Sequence, residues 1–146
     1  MIDALLRRLS GPAPARQPDP GARLALAALL VRIARTDGDY AEAERSRIDK
    51  VLAARHGLSP FEAAALRAEA EALETGAPDT VRFTRALKDA VAHDDRADLM
   101  QALWSVALAD GARDDHEETL MRMVARLLGL SDRDSALARQ RAERQA

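Results

Sequence analysis

Four acidic residues stand in two segments that share one spacing. In the first segment Asp37 is followed by Gly and then by Glu44; in the second segment Asp110 is followed by Gly and then by Glu117. The two copies lie 73 residues apart. Carboxylate oxygens are the ligands that calcium, magnesium and manganese prefer. The pattern therefore predicts that Asp37, Glu44, Asp110 and Glu117 converge on one divalent cation or on a close pair of cations.

The same acids allow a structural interpretation, in which they cap helices. Asp39-x-x-Glu42 and Asp114-x-x-Glu117 both have the spacing of a capping box, whose side-chain oxygens accept hydrogen bonds from free backbone N–H groups. This interpretation leaves Glu44, the repeat partner of Glu117, outside the first box. A shared metal site and a pair of capped helices both stay open at this point.

The spacing Asp-Gly-x5-Glu also matches the second half of an EF-hand loop. The earlier ligand positions of such a loop fall on apolar or cationic residues, namely Ile33, Arg35, Val106 and Leu108. Neither segment is a complete EF-hand. A cation site would have to combine both segments, with water or backbone oxygens completing the ligand shell.

The elements that position these acids are helices, because the apolar residues recur with helical period throughout the chain. Ser59-Pro60-Phe61-Glu62 has the cap, proline and acid of a helix start. The sequence predicts an all-α fold, a single bundle of about seven to eight helices. The predicted helices are residues 2–9, 23–36, a segment from about 39 to Gly57, 59–76, a segment capped by Asp79 that carries Val81, Phe83, Leu87 and Val91, 95–109, a segment after Gly111, and a last segment capped by Ser131.

The 73-residue offset extends beyond the acids. Leu30, Ile33 and Ala34 fall on apolar residues of the second segment, and each copy continues into a helix that ends in Gly-Leu-Ser. A repeat of this length predicts two pseudo-symmetric helical hairpins that bury their faces against each other, with helices 23–36 and 95–109 at the centre.

Composition shifts along the chain divide it into three regions. Residues 1–21 form a predicted N-terminal amphipathic helix and a proline-rich linker, residues 22–132 the helical domain, and residues 133–146 a charged C-terminal helix. The apolar residues of the N-terminal helix are expected to dock on the bundle; the alternatives are another chain or a membrane surface.

Charge and composition exclude several classes of function. The net charge of −2 does not favour nucleic-acid binding, and the absence of Cys excludes thiolate zinc sites, disulfides and cysteine nucleophiles. No apolar run reaches the length of a membrane span. We expect a cytoplasmic protein without an organic cofactor. His56 and His93 are expected to be structural or solvated, and His116 is a secondary candidate ligand.

The repeated pattern resembles the TerB (tellurite-resistance protein B) family. The segment Leu29-Leu30-Val31-Arg32-Ile33-Ala34-Arg35-Thr36-Asp37-Gly38 with Glu44, and the segment Leu103-Trp104-Ser105-Val106-Ala107-Leu108-Ala109-Asp110-Gly111 with Glu117, carry the resemblance. The resemblance covers about residues 22–132. It implies a helical bundle of two pseudo-symmetric halves and a link to bacterial stress response against tellurite and other toxic agents. It also implies divalent-metal binding at Asp37, Glu44, Asp110 and Glu117.

Three functions from different classes follow. The first is a non-enzymatic metal-binding module that acts through partner proteins, in the cytoplasm or in a complex at the inner face of the membrane, as a monomer or a homodimer. The second is a structural or protein-interaction bundle whose acids cap helices. The third and least favoured is a metal-dependent hydrolase, since the sequence contains no nucleophile–base pair or phosphate loop.

Overall fold

The computed structural model describes residues 21–36, 38–76, 80–109 and 115–145. These residues form seven α-helices and one 3-10 turn, and no β-strand occurs among them. The predicted all-α fold is confirmed. The predicted helix at residues 2–9, the linker, and the candidate residues Asp37, Asp79, Asp110 and Asp114 lie outside the described residues. The helices are α1 (Ala22–Arg35), α2 (Glu42–His56), α3 (Pro60–Gly76), α4 (Val81–Ala90), α5 (Arg96–Ala107), α6 (Asp115–Leu127) and α7 (Asp132–Gln145), with the 3-10 turn at His93–Asp95.

Helix α1 is the centre of the bundle. Every residue from Ala25 to Val31 is buried, and α1 contacts α2, α3, α4, α5 and α6. A helix that is apolar on all sides has to be surrounded by others, because any face left in water would expose apolar surface. The first acidic segment follows the C-terminal end of α1. Because the neighbouring helices surround α1, they fix the position of that end.

The contacts between helices follow a regular pattern. Helix α1 packs extensively on α3, and α5 packs extensively on α7; α2 contacts α5, and α6 contacts α1. Two hairpin repeats related by a two-fold axis would make these contacts, with α1, α2 and α3 equivalent to α5, α6 and α7. Superposition of the two halves stays a prediction.

Capping residues define several helix ends. Ser59 and Glu62 exchange two hydrogen bonds, from the Ser59 N–H to Oε1 of Glu62 (2.9 Å) and from the Glu62 N–H to Oγ of Ser59 (3.1 Å). Ser131 and Asp134 form the same reciprocal pair, with both bonds at 3.1 Å. Both caps predicted at these serines are confirmed. Gly57, the predicted stop of α2, takes the left-handed conformation at φ 63°, which favours glycine.

One predicted capping box is wrong. Helix α2 begins at Glu42, and its N-cap residue is Ala41, so Asp39 and Glu42 stand too early to form the box. The acid at the third position of the helix is Glu44 instead. Its Oε1 accepts a hydrogen bond from the Ala41 N–H (3.1 Å). This is half of a capping box, since the Ala41 side chain has no oxygen to complete it.

Helix α4 carries three of the four apolar residues predicted for it, and Val91 follows its end. Val81 is 39% exposed, whereas Phe83, Thr84 and Leu87 are buried. The hydroxyl of Thr84 donates to the backbone carbonyl of Val81 (2.9 Å), so this polar residue occupies the buried face without an unsatisfied donor.

Candidate functional site

Two of the four candidate acids are described, and both are buried at matching positions. Glu44 is the third residue of α2 and Glu117 is the third residue of α6. The exposed fraction is 0% for Glu44 and 5% for Glu117. Glutamate is seldom fully buried, because desolvation of its charge costs several kcal/mol unless the charge is compensated. The same costly placement thus occurs at both repeat positions.

The local backbone offsets part of this cost. The N-terminus of a helix carries a partial positive charge, worth about 0.3–1 kcal/mol to a nearby anion and up to about 2 kcal/mol when partly buried. The hydrogen bond from the Ala41 N–H to Glu44 is charge-assisted, a class worth about 1.5–3 kcal/mol. Together these terms are of the same order as the desolvation cost. The environment of Glu44 therefore suits both a cap and a metal ligand.

Asp37 and Asp110 are the two predicted ligands outside the described residues, although the chain on both sides of Asp37 is described. Among the described residues no group of three or more Asp, Glu or His side chains could hold a metal ion. A cation at the acidic segments would therefore require Asp37, Asp110 or both in addition to the two buried glutamates. Convergence of the four carboxylates stays a prediction.

Tyr40 lies in the loop that joins Asp37 to Glu44, and two arginines hold its ring. The guanidinium carbon of Arg35 is 5.0 Å from the ring centroid, and that of Arg45 is 5.1 Å away. Both distances fall within the range of a cation–π interaction. Because Arg35 ends α1 and Arg45 belongs to α2, the ring connects the two helices on either side of the candidate loop.

Arg35 is itself fixed to a third helix. Its Nη1 lies 2.7 Å from Oε2 of Glu74 on α3, and Nε of Arg32 lies 3.2 Å from Oε1 of the same carboxylate. Glu74 thus binds the last turn of α1 through both of its oxygens. These contacts fix the C-terminal end of α1, from which the loop starts.

The Tyr40 hydroxyl occupies a charged but enclosed environment. Burial raises the pKa of Tyr40 to about 12; the Glu71 carboxylate acts in the same direction and the Arg67 guanidinium opposes it. Arg67 in turn binds Asp49 (Nε to Oδ1, 2.6 Å) and Glu71 (Nη1 to Oε1, 3.0 Å). The Glu71 carboxylate and the Arg67 guanidinium lie close to the hydroxyl, but neither is placed for a hydrogen bond of good geometry.

The three histidines differ in their surroundings. His93 is exposed in the 3-10 turn, as expected for a solvated residue, and His116 is exposed in the first turn of α6. His56, expected to be a structural residue, ends α2, where a cation would suit the helix dipole. Burial instead lowers the pKa of His56, and the neighbouring Arg23 and Arg55 lower it further. His116 is exposed, whereas the adjacent Glu117 is buried. Of these two side chains, the Glu117 carboxylate is therefore the one that faces the interior.

Sequence reasoning missed Tyr40 and the arginines around it. The available signal was a lone tyrosine within an acidic loop of a chain that contains one Tyr and one Trp. Trp104 was predicted to be a core residue, and it is buried, with its Nε1–H donating to Oγ of Ser135 (3.1 Å). The partners of Tyr40 come from α1, α2 and α3, so the spacing of residues along one helix could not reveal them.

Within the described ranges, no helix is both long enough and apolar enough to cross a bilayer. No curated protein and no solved structure matches the chain. A family model does match: residues 23–140 correspond to the family described as "Tellurite resistance protein TerB". The match begins within α1 and ends within α7, so it spans all seven helices. On this evidence the chain belongs to the TerB family.

Proposed function

We propose that this protein is a non-enzymatic TerB module that binds one divalent cation, or a close pair, through Asp37, Glu44, Asp110 and Glu117. One observation carries the proposal: Glu44 and Glu117 are both buried at the third position of their helices, in the register of the repeat. A capping role accounts for each glutamate separately. Capping gives no reason for an Asp-Gly pair to stand seven residues before each of them.

The donor set limits the choice of cation. The candidate residues offer carboxylate oxygens and no sulfur, which favours calcium, magnesium or manganese over zinc or copper. Burial of two carboxylates suits such an ion, because its charge would offset both their desolvation and their mutual repulsion. The bound ion would link the start of α2 to the start of α6. Asp37 and Asp110 would supply the ligands that the two glutamates alone cannot.

The wider role in this proposal is bacterial stress response to tellurite or other toxic agents, through partner proteins in the cytoplasm or at the inner face of the membrane. Family membership supports this role. A structural bundle with capping acids is the alternative. A hydrolase would require metal-dependent turnover that disappears when one of the four acids is changed, and assays with phosphate and peptide esters test this directly.

Metal titration tests the proposal. The full-length chain, stripped with EDTA, is titrated with Ca²⁺, Mg²⁺ or Mn²⁺ while binding heat and thermal unfolding are measured. Binding at about 100 times Kd adds about 2.7 kcal/mol to the unfolding free energy. For a chain of this size that raises Tm by about 5–10 °C. A Tm unchanged by all three ions would refute metal binding.

A double variant separates ligands from caps. Asp37→Asn with Asp110→Asn should abolish the metal-dependent rise in Tm, yet leave the metal-free protein as stable as the wild type or more so, because it removes charge repulsion. Structural hydrogen bonds would instead be lost, lowering metal-free stability. Asp89→Asn, at an exposed acid of α4, is the matched control and should change neither quantity. Loss of stability without metal in the double variant would favour the structural alternative.

A further inference from the structure

A groove of about 590 Å³ runs between α2 and α5, and the end of α7 also lines it. Three cations of α2 line the groove: Arg47, Lys50 and Arg55. On the opposite wall α5 contributes one carboxylate, Asp98, and otherwise small or neutral residues such as Ala102. The groove therefore combines a basic wall with a floor on which another helix could pack closely.

The three cations of the groove are not neutralised by the described part of the chain. None of them forms an ion pair within 4.0 Å with a described carboxylate. In contrast, Arg35 and Arg67 are both paired with acids of the same chain. Cations that have no ion-pair partner among the described residues, beside small side chains such as Ala102, indicate a surface that would gain from a partner carrying carboxylates and small apolar residues.

A surface with these complementary properties exists on α3. Phe61 is 83% exposed, and Ala65, Ala68 and Ala72 continue an exposed stripe along the same side of the helix. Glu69 is an exposed carboxylate beside this stripe. Phe61 is the most exposed large apolar residue among those described, and it stands at one end of a ridge of small side chains. Such an aromatic is the typical anchor of an interface.

The ridge and the groove lie on opposite sides of α2, so one molecule cannot bring them together. At about 100° per residue, Asp49 stands nearly opposite the groove-lining residues of α2 around the helix axis. Asp49 binds Arg67 of α3 at 2.6 Å, which locates α3 on the side away from the groove. Contact between ridge and groove has to join two copies.

We infer that the α3 ridge of one molecule docks in the basic groove of a second copy, with Phe61 as the apolar anchor and Glu69 facing the cations of the groove. The ridge from Phe61 to Ala72 spans about 16 Å at 1.5 Å per residue, and the groove-lining residues run along α5 from Asp98 and past its end to Ala109. The predicted N-terminal helix is a poorer occupant. Its charged residues are Asp3, Arg7 and Arg8, whose net positive charge opposes that of the groove.

The contact is heterologous, because different surfaces of the two copies meet. Such contacts build rings when the rotation closes and open chains when it does not. A ridge of three helical turns buries less than a standard interface of about 1,600 Å², so association should be weak, with Kd on the order of 10–100 µM. It should weaken further at high ionic strength, since its charges lie at the surface.

Sedimentation velocity of the full-length chain provides the test. The average mass should rise with concentration through this range, and the rise should shrink in about 1 M salt, where the Debye length is about 3 Å. The groove variant Arg47→Glu with Lys50→Glu, and the ridge variant Phe61→Ala with Glu69→Ala, should each weaken association on the order of tenfold or more. Arg85→Glu, an exposed cation of α4 outside the groove, should associate like the wild type.

Mixing the two variants gives the sharper result. The groove variant keeps an intact ridge, and the ridge variant keeps an intact groove. The mixture should form a one-to-one dimer that grows no further, which also demonstrates that both variants are folded. A wild type that stays monomeric throughout, variants that associate like the wild type, or a mixture that stays monomeric would each overturn the inference.

Discussion

At the scale of single residues, Tyr40 illustrates how one side chain can join three helices around the candidate loop. Its ring lies near Arg35 and Arg45, while its hydroxyl lies beside Glu71 and Arg67 but makes no hydrogen bond of good geometry with the described part of the chain. A buried hydroxyl left without a partner costs free energy, whereas a ring beside cations contributes about 0.5–1 kcal/mol per contact at exposed sites. The ring and the hydroxyl of Tyr40 should therefore affect stability in opposite directions.

Two substitutions separate the contributions. Tyr40→Phe keeps the ring and removes the hydroxyl, so the unfolding free energy should be unchanged or slightly higher. Tyr40→Ala removes the ring and should cost about 1–3 kcal/mol, less than the loss of a fully buried aromatic. Urea unfolding of both variants measures the difference. Destabilisation by Tyr40→Phe as large as that by Tyr40→Ala would mean that the hydroxyl, not the ring, makes the stabilising contact.

His56 makes stability depend on pH near neutrality. Its pKa is lowered in the folded chain, chiefly by burial and then by Arg23 and Arg55. The unfolded chain, with the ordinary pKa of about 6.5, therefore binds a proton more readily than the folded chain. Stability from this group is fully present above that value and is lost as the pH falls through about 6.5 towards the folded pKa.

Thermal unfolding between pH 8 and pH 5.5 measures this effect. Tm should fall with acidification over this window, and His56→Gln should flatten the profile because it cannot bind the proton. His93→Gln is the matched control, since His93 is exposed and should leave the slope as in the wild type. A slope that survives in His56→Gln would assign the pH dependence to another group.

At the scale of helices, the reciprocal caps at Ser59 and Ser131 determine where α3 and α7 begin. Ser59→Ala and Ser131→Ala each remove the hydroxyl that accepts from the third residue of the helix. Each should lower the unfolding free energy by about 1 kcal/mol. Ser46→Ala, at an exposed position within α2, should be neutral or stabilising because alanine is the better helix former. Equal losses at all three serines would contradict the assignment of the first two as caps.

The caps also make the stability of the protein depend on pH in the acidic range. The Ser59 backbone and hydroxyl lower the pKa of Glu62, and those of Ser131 lower the pKa of Asp134. Both carboxylates are favoured in the folded state when ionised. Their contribution is therefore present above the ordinary pKa values of about 4, and it is lost as the pH falls through the lowered values. Each Ser→Ala loss should shrink over the same acidic window.

Local signals explain which helix starts could be predicted. Ser59-Pro60-Phe61-Glu62 is decided within four residues, and the structure agrees with it. At the start of α2 the sequence predicted a box of Asp39 with Glu42, whereas the structure uses Ala41 with Glu44. This cap lacks half its hydrogen bonds, and Glu44 is fully buried. Burial of Glu44 depends on packing between helices, which the residue spacing within one loop does not contain.

At the scale of the whole molecule, the sequence predicts the bundle but not the surfaces that form where separate helices meet. Helical period and the buried centre at α1 were readable from the sequence, because they depend on the order of apolar residues. The groove between α2 and α5, and the arginines around Tyr40, depend on how separate helices face each other. The sequence pointed to Glu44 and Glu117 through their shared spacing, but their burial became visible only in the fold.

The last prediction concerns the symmetry of the molecule. If the two halves arose as repeats, an experimental structure should superpose the backbone of residues 26–48 closely on that of residues 99–121. A two-fold axis would exchange the contact of α1 with α6 and that of α2 with α5, and both contacts occur. Symmetry would bring Glu44 and Glu117 to equivalent positions about that axis, and a shared cation would lie on or near it. Clearly different angles between α1 and α2 and between α5 and α6 would contradict the repeat. Carboxylates of the two halves more than about 10 Å apart would contradict the shared site, because two calcium–oxygen bonds of 2.3–2.6 Å span only about 5 Å.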